Sequence, residues 1–209
     1  MTNTPAMNRY SWYGKLPSAG DFLQRRFPDT LQRQWSHWFQ VGLLAWQQEE
    51  QRSGERQFHK APVWNFVVPP MLGSQMIQMG CLLPGRDSVG RQYPVCLQLS
   101  FAPSEWSTSL LSQAESWYQQ IGRLGLHAVR NSFSASQLDE MLMTIPAPQP
   151  VEPQKRSDIL DVIGYDEDGQ STLGWPQAAE CFDPLRQTSY WWTNRCDGYP
   201  LYTHVHSGN

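Results

Sequence analysis

Full charges of both signs occur in two short segments that glycine and proline mark as turns, residues 14–22 and 84–91. The charged side chains of interest are Lys15 and Asp21 in the first charged turn, and Asp87 and Arg91 in the second. If the turns meet, two carboxylates beside two cations could act as an acid–base pair, hold an ion or phosphate, or pair with one another. Both segments adjoin apolar runs, so we expect loops anchored on a core, where recognition usually occurs.

Two uses of these charges stay open from the sequence. The four residues could pair internally and lock the loops, or they could face a protein partner. Catalysis by Asp21 and Asp87 is disfavoured, because neither turn offers a nucleophile or metal ligands beside the carboxylates. A small hydrolase or nucleotide-binding enzyme using the charged turns therefore ranks below a binding protein.

Motifs for phosphate and calcium are incomplete. Gly14 and Lys15 resemble the end of a phosphate-binding loop, but Arg9 stands where its first glycine is needed and Leu16 where its Ser or Thr is needed. Residues 166–169 resemble part of a calcium loop, yet they lack the alternating ligands and the closing glutamate. A solvated acidic turn is the better interpretation of that segment.

Metal and nucleophile signatures are weak as well. His204 and His206 would point the same way from a strand, but no third ligand is identifiable. The chain contains neither a G-x-S-x-G elbow nor an H-E-x-x-H motif. The sequence thus predicts no catalytic residues, no metal and no cofactor.

Charge and composition narrow the class of partner. The chain has 209 residues, a net charge of −3 and no Lys/Arg run longer than two, which argues against nucleic acid. No apolar stretch approaches the length of a bilayer span, so we expect no membrane insertion. Residues 1–8 lack the basic and apolar regions of a signal peptide, which favours a cytoplasmic location.

Strands and helices are predicted without strict alternation, which favours a mixed sheet with helices packed on its faces. Strands are predicted over 10–13, 63–68, 76–83, 94–101, 189–193 and 201–205. Helices are predicted from Pro28 to the polar stretch 49–54, from 110 to 124 with Gly125 as C-cap, and from 134 to 145 behind a capping box. The first helix is predicted to bury one apolar face, formed by Leu31, Trp35, Trp38, Phe39, Gly42 and Trp46.

Length favours one domain or one domain with an appendage, and we predict a single domain over 1–209. Prolines between 146 and 153 exclude a helix or a central strand, so a surface linker is expected near 146–156.

Several motifs, in order along the chain, resemble one known family, the TagF (ImpM) proteins of bacterial type VI secretion systems. The matching features are Gly14–Ser18 with Gly20–Phe22, the paired Trp35 and Trp38, Pro62–Trp64, the Gly80 to Arg91 segment with Pro94, and Ser189 with Trp191 and Trp192. Two positions depart from the family pattern. Ser36 stands where an acidic residue is common, and Gly85 where serine is common.

The resemblance implies an α/β fold, a three-layer α-β-α sandwich around a central sheet. It implies a cytoplasmic, non-enzymatic accessory protein that represses type VI secretion after translation. The implied partner is a forkhead-associated (Fha) scaffold protein. The expected binding residues are Lys15, Asp21, Asp87 and Arg91, supported by Trp35, Trp38, Trp64, Trp191 and Trp192. A structural subunit of the secretion apparatus is the alternative.

Overall fold

A seven-stranded sheet forms the centre of the computed structural model, which describes residues 10–54, 58–71, 74–150, 179, 181–194 and 200–207. The strands are β1 (Tyr10–Gly14), β2 (Leu23–Arg25), β3 (Trp64–Val68), β4 (Ile77–Arg86), β5 (Gln92–Phe101), β6 (Thr188–Asn194) and β7 (Pro200–Ser207). Their order across the sheet is β2-β1-β5-β4-β3-β6-β7.

All strand pairs of the described sheet are antiparallel, which differs from the predicted mixed sheet. β3, β4 and β5 form a meander, and β1 lies against β5 with Trp12 opposite Leu97. The long connection after β5 brings β6 back beside β3, antiparallel to it. Strand direction depends on these long connections, and periodicity within one strand carries no information about them.

Helices cover both faces of the sheet, as predicted for a three-layer sandwich. They are α1 (Asp29–Ser53), α2 (Thr108–Ser112), α3 (Glu115–Arg130) and α4 (Ala135–Thr144). Successive side chains of β5 point to opposite faces of the sheet, so this strand contributes to a core on each face. Leu97 and Leu99 pack in the core beneath α2, α3 and α4, whereas Cys96 packs in the core beneath α1. Among the described residues, none of the helices combines the length and the apolar character that a membrane span requires.

The capping box predicted for the last helix is confirmed. Ser134 Oγ accepts the amide of Gln137 at 3.2 Å, and Gln137 Oε1 accepts the amide of Ser134 at 2.9 Å. Gly125, predicted as a C-cap, instead lies inside α3, which ends at Arg130 and is capped by Asn131. A Cβ at Gly125 would collide with Leu83, so this glycine serves close packing of helix on sheet rather than helix termination.

The β4–β5 hairpin is longer than predicted, because its pairing continues through segment 84–86. Pro84 lies opposite Pro94, Gly85 opposite Tyr93, and Arg86 opposite Gln92. The second charged turn therefore narrows to a five-residue loop, residues 87–91. Proline and glycine in segment 84–86 indicated a loop. The two strands nevertheless remain paired there, with Pro84 and Pro94 directly opposite each other near the turn.

Helix α1 buries only part of its predicted apolar face. Leu31, Trp35 and Phe39 are buried, but Trp38 and Trp46 are 46% and 37% exposed. Periodicity finds the apolar stripe, but it does not show where the sheet beneath the helix ends.

Residues 146–150 have no regular secondary structure, and Pro148 is buried within this stretch. The rest of the predicted linker and the acidic segment 166–169 lie outside the described residues. His204 and His206 lie on β7, whose side chains are not described.

Candidate functional site

The two charged turns meet in space at one end of the sheet. The first charged turn leaves β1 at Gly14, and the second closes the β4–β5 hairpin. The amide of Ser88 donates to the carbonyl of Ala19 at 2.9 Å, and Arg91 Nη2 donates to the carbonyl of Gly20 at 2.7 Å. These bonds join the turns into one surface feature, which we call the paired turns.

Asp87 is the centre of the paired turns. Its Oδ1 accepts the amides of Val89 at 3.1 Å and Arg91 at 2.8 Å. Its Oδ2 accepts Lys15 Nζ at 2.9 Å and Arg91 Nε at 2.6 Å. The Asp87 side chain has no exposed surface, and that of Lys15 is 9% exposed. One carboxylate thus fixes its own loop and ties that loop to the first charged turn.

Electrostatics keep this carboxylate ionised. Burial alone would raise the pKa of Asp87, but hydrogen bonds from Lys15, from the Arg91 amide and guanidinium, and from the Val89 amide outweigh burial. The pKa of Asp87 is therefore held well below its usual range.

Two glycines make the geometry of the paired turns possible. Gly90 has φ +86°, a left-handed conformation that closes the five-residue loop. A Cβ at Gly85 would lie 2.6 Å from the carbonyl oxygen of Lys15 and 2.7 Å from that of Tyr93. Glycine at this position, where serine is common in the family that the sequence resembles, therefore lets the first charged turn approach the hairpin closely.

An aromatic group supports the first charged turn from the α1 side. Phe22 stacks on Tyr13 with ring centroids 5.7 Å apart and meets Tyr93 edge-on at 4.7 Å. Lys15 Nζ lies 4.7 Å from the centre of the Phe22 ring. Ser36, where the family commonly has an acidic residue, donates to the Tyr13 hydroxyl at 3.0 Å. The ammonium group thus has a carboxylate and an aromatic face as neighbours.

The structure brings together three of the four charged residues singled out by the sequence. Lys15, Asp87 and Arg91 form the network, whereas exposed Asp21 accepts the amide of Phe22 at 2.7 Å and stays outside the network. These three residues pair internally, through the bonds that Asp87 accepts from Lys15 and Arg91. The Arg91 side chain remains 64% exposed while it makes this pair.

The outer surface of the paired turns includes two apolar side chains that sequence reasoning missed. Val89 is 72% exposed and Phe22 is 45% exposed, with Asp21 and Arg91 nearby in the same turns. The sequence contained a signal for an exposed apolar side chain, because Val89 is apolar and lies in a tight charged loop where polar residues are usual. A rigid loop that exposes apolar and charged groups together is suited to protein recognition.

The predicted supporting tryptophans divide between the two sheet faces. Trp35, fully buried, packs on Trp191 in the core beneath α1, with ring centroids 6.0 Å apart. Trp192 packs on Tyr118 in the opposite core, at 4.9 Å. Trp64 is half-buried and borders α1. These residues pack within the two core layers.

Acid should reduce the stability that the ionised Asp87 network gives to the fold. Because folding lowers the pKa of Asp87, its contribution to stability is complete above the unfolded pKa, about 4, and is lost as pH falls toward the folded pKa. The difference in melting temperature between wild type and Asp87→Asn should be largest near pH 7 and narrow steadily from about pH 4 toward pH 2. Thermal melts of both proteins across this range test the prediction, and a constant difference would contradict it.

Within the described ranges, no group of three or more His, Cys, Asp or Glu residues is placed to hold a metal ion. The Asp87 carboxylate is occupied by four donors, two from side chains and two from backbone amides. In this arrangement it holds structure together rather than offering a free oxygen to a ligand.

Sheet and helices define the class of the protein as an α/β sandwich. A solved structure, that of PA0076 from Pseudomonas aeruginosa PAO1, has a similar fold, with a TM-score of 0.70 and 21% identity over 96% of this chain and 89% of that one. No curated protein is significantly similar in sequence.

The sequence profile of the TagF N-terminal domain, type VI secretion system-associated, matches residues 11–145. The chain belongs to this family. The matched region runs from β1 to the end of α4 and includes both charged turns.

Proposed function

We propose that this protein is a cytoplasmic, non-enzymatic repressor of type VI secretion that acts after translation by binding a forkhead-associated scaffold protein. The observation that carries the proposal is the geometry of the paired turns. The Asp87 network fixes them, and they expose Val89 and Phe22 on their outer surface. Membership of a type VI secretion-associated family gives the biological setting.

Repression in this proposal works by occupancy. The Asp87 network fixes the loop before any partner arrives, so binding costs little additional ordering of the backbone. The scaffold would contact Val89 and Phe22 as apolar anchors, with Asp21 and Arg91 as charged groups around them. While bound, the protein blocks the scaffold contacts that activate the secretion apparatus.

A non-enzymatic role is supported by how the charges are used. Lys15 and Asp87 satisfy one another, so neither is free to transfer a proton or to bind a substrate anion. The two aspartates also differ in setting, because Asp87 is buried within the network while Asp21 is exposed and outside it. Paired carboxylate chemistry needs both groups at one reacting centre.

A secretion assay tests the proposal in cells. A deletion strain carrying the wild-type gene should secrete little type VI substrate into the medium. Val89→Glu, which places a charge on an exposed position, should raise secretion at least fivefold at equal protein level. The matched control is Leu185→Glu, which is 88% exposed and lies outside both turns, and it should repress like wild type. Full repression by Val89→Glu would contradict the proposal.

A further inference from the structure

From Trp38 onward, α1 carries apolar side chains that the described part of the chain leaves exposed. After Phe39 no residue of this helix is buried. Val41 is 54% and Leu44 58% exposed, in addition to Trp38 and Trp46. Together these four side chains expose on the order of 400 Å² of mostly apolar surface, and three of them, Trp38, Val41 and Trp46, line one groove.

A groove of about 370 Å³ runs between this part of α1 and the sheet. Trp38, Val41 and Trp46 form its helical wall, and its floor includes Trp64, Pro84 and Pro94. None of the lining residues carries a charge. The helix itself has no Asp, Glu, Lys or Arg from residue 34 to residue 48. Any charge on an occupant facing this groove would be buried without a partner, which is costly.

Fewer described helices pack on the α1 face of the sheet than on the opposite face. Among the described residues, α2, α3 and α4 pack on one face and α1 on the other, where Phe58 of the short 3₁₀ turn Phe58–Lys60 meets Trp46 edge-on at 5.9 Å. Along the wall, Trp38, Val41 and Ala45 recur at spacings of three and four, the pattern of a helix-packing seam. Gly42 has no atom within 4 Å of its Cβ position, so another helix can approach closely there.

The available area favours a segment of a partner over a second copy of the chain. A stable protein–protein interface buries about 800 Å² on each side, roughly twice the apolar surface exposed on α1. One amphipathic helix laid in a groove needs a smaller surface and uses anchors at helical spacing.

The groove adjoins the paired turns along the β4–β5 hairpin. Phe22 meets Tyr93 at 4.7 Å, and within the core beneath α1, Tyr93 meets Phe39 at 5.7 Å. Pro84 and Pro94 line the groove and belong to the hairpin that the second charged turn closes. Pro84 lies three residues before Asp87 in the same hairpin, so one partner can contact both surfaces.

From this geometry we infer that the groove binds an amphipathic helix of the protein partner, through an uncharged apolar face. The inference rests on the proposed function, because it assigns a second contact to the same partner. The helix would lie beside α1, with large apolar side chains between Trp38 and the prolines of the floor.

Photo-crosslinking in cells tests the inference. The probe is p-benzoylphenylalanine placed at Val41 in the groove or at Val89 in the paired turns, each in the full-length protein. We expect the Val41 probe to form an adduct with a type VI secretion protein, at a segment that is helical and uncharged on its contacting face. An adduct between two copies, an adduct within the chain, or no adduct at Val41 would overturn the inference.

The Val89 probe separates the two proposals. Adducts at Val89 without adducts at Val41 would retain the paired turns as a binding surface and remove the groove. The Val41 probe can also be tested in a Val89→Glu background. If adducts persist there and repression is intact, the groove remains a binding site and the paired turns are not one.

A matched pair of variants provides an independent readout. Val41→Glu should weaken binding of the purified scaffold at least tenfold, whereas Gln47→Glu, on the same helix but outside the groove, should change it less than twofold. Equal binding by both variants would overturn the inference.

Discussion

Replacing Lys15 with methionine should lower the melting temperature by roughly 10 °C. Methionine fills much of the same space but leaves the Asp87 carboxylate buried without the ammonium group 2.9 Å away. The remaining donors to Asp87 are Arg91 and two backbone amides, and none of them occupies the position of the Lys15 ammonium group beside Oδ2. Thermal melts at pH 7 measure the effect.

Asp21→Ala is the control for this prediction. Asp21 lies in the same turn and carries a full charge, but it is exposed and accepts the Phe22 amide outside the network. Its removal should shift the melting temperature by less than about 2 °C. Equal losses for the Lys15 and Asp21 variants would mean that the Asp87 network does not hold the turns together.

Trp35→Ala should cost roughly 3–5 kcal/mol of unfolding free energy. The Trp35 indole is fully buried and packs against Phe66 at 5.2 Å, and its N–H donates to Gln78 at 3.2 Å. Truncation leaves a cavity between α1 and the sheet and also removes a donor from a buried amide oxygen. Denaturant unfolding of the purified protein gives the free energy.

Trp38→Ala provides the comparison on the same helix. Trp38 is 46% exposed and meets Trp191 at 5.0 Å, so its truncation should cost less than half as much as that of Trp35. Equal costs would show that α1 is packed as tightly at Trp38, in the wall of the groove, as at Trp35, which would contradict an open groove.

Local sequence signals predicted most of the elements. Polar and apolar residues alternate in β5, and Ser134 with Gln137 marks the start of α4, because such patterns depend on neighbours within a few residues. Gly125 and the burial of α1 could not be predicted in this way. Both depend on where the sheet lies against a helix, which is a tertiary property.

The candidate site was predictable in part. Glycine and proline identified both turns. The pairing of the charges, however, depends on the fold bringing Gly20 and Arg91, which are 71 residues apart in sequence, into contact. Asp21 and Asp87 have the same side chain in similar turns, yet only Asp87 is buried. Their different roles come from the turn geometry: the loop of residues 87–91 directs two amides at its own carboxylate.

The dissociation constant for purified forkhead-associated scaffold, measured by calorimetry, tests the central claim most directly. The comparison is among wild type, Val89→Glu and Leu185→Glu, with melting temperatures recorded for each. The account predicts that Val89→Glu melts like wild type but binds at least tenfold more weakly, and that Leu185→Glu matches wild type in both respects. Unchanged affinity for Val89→Glu would contradict the claim that the paired turns form the partner-binding surface.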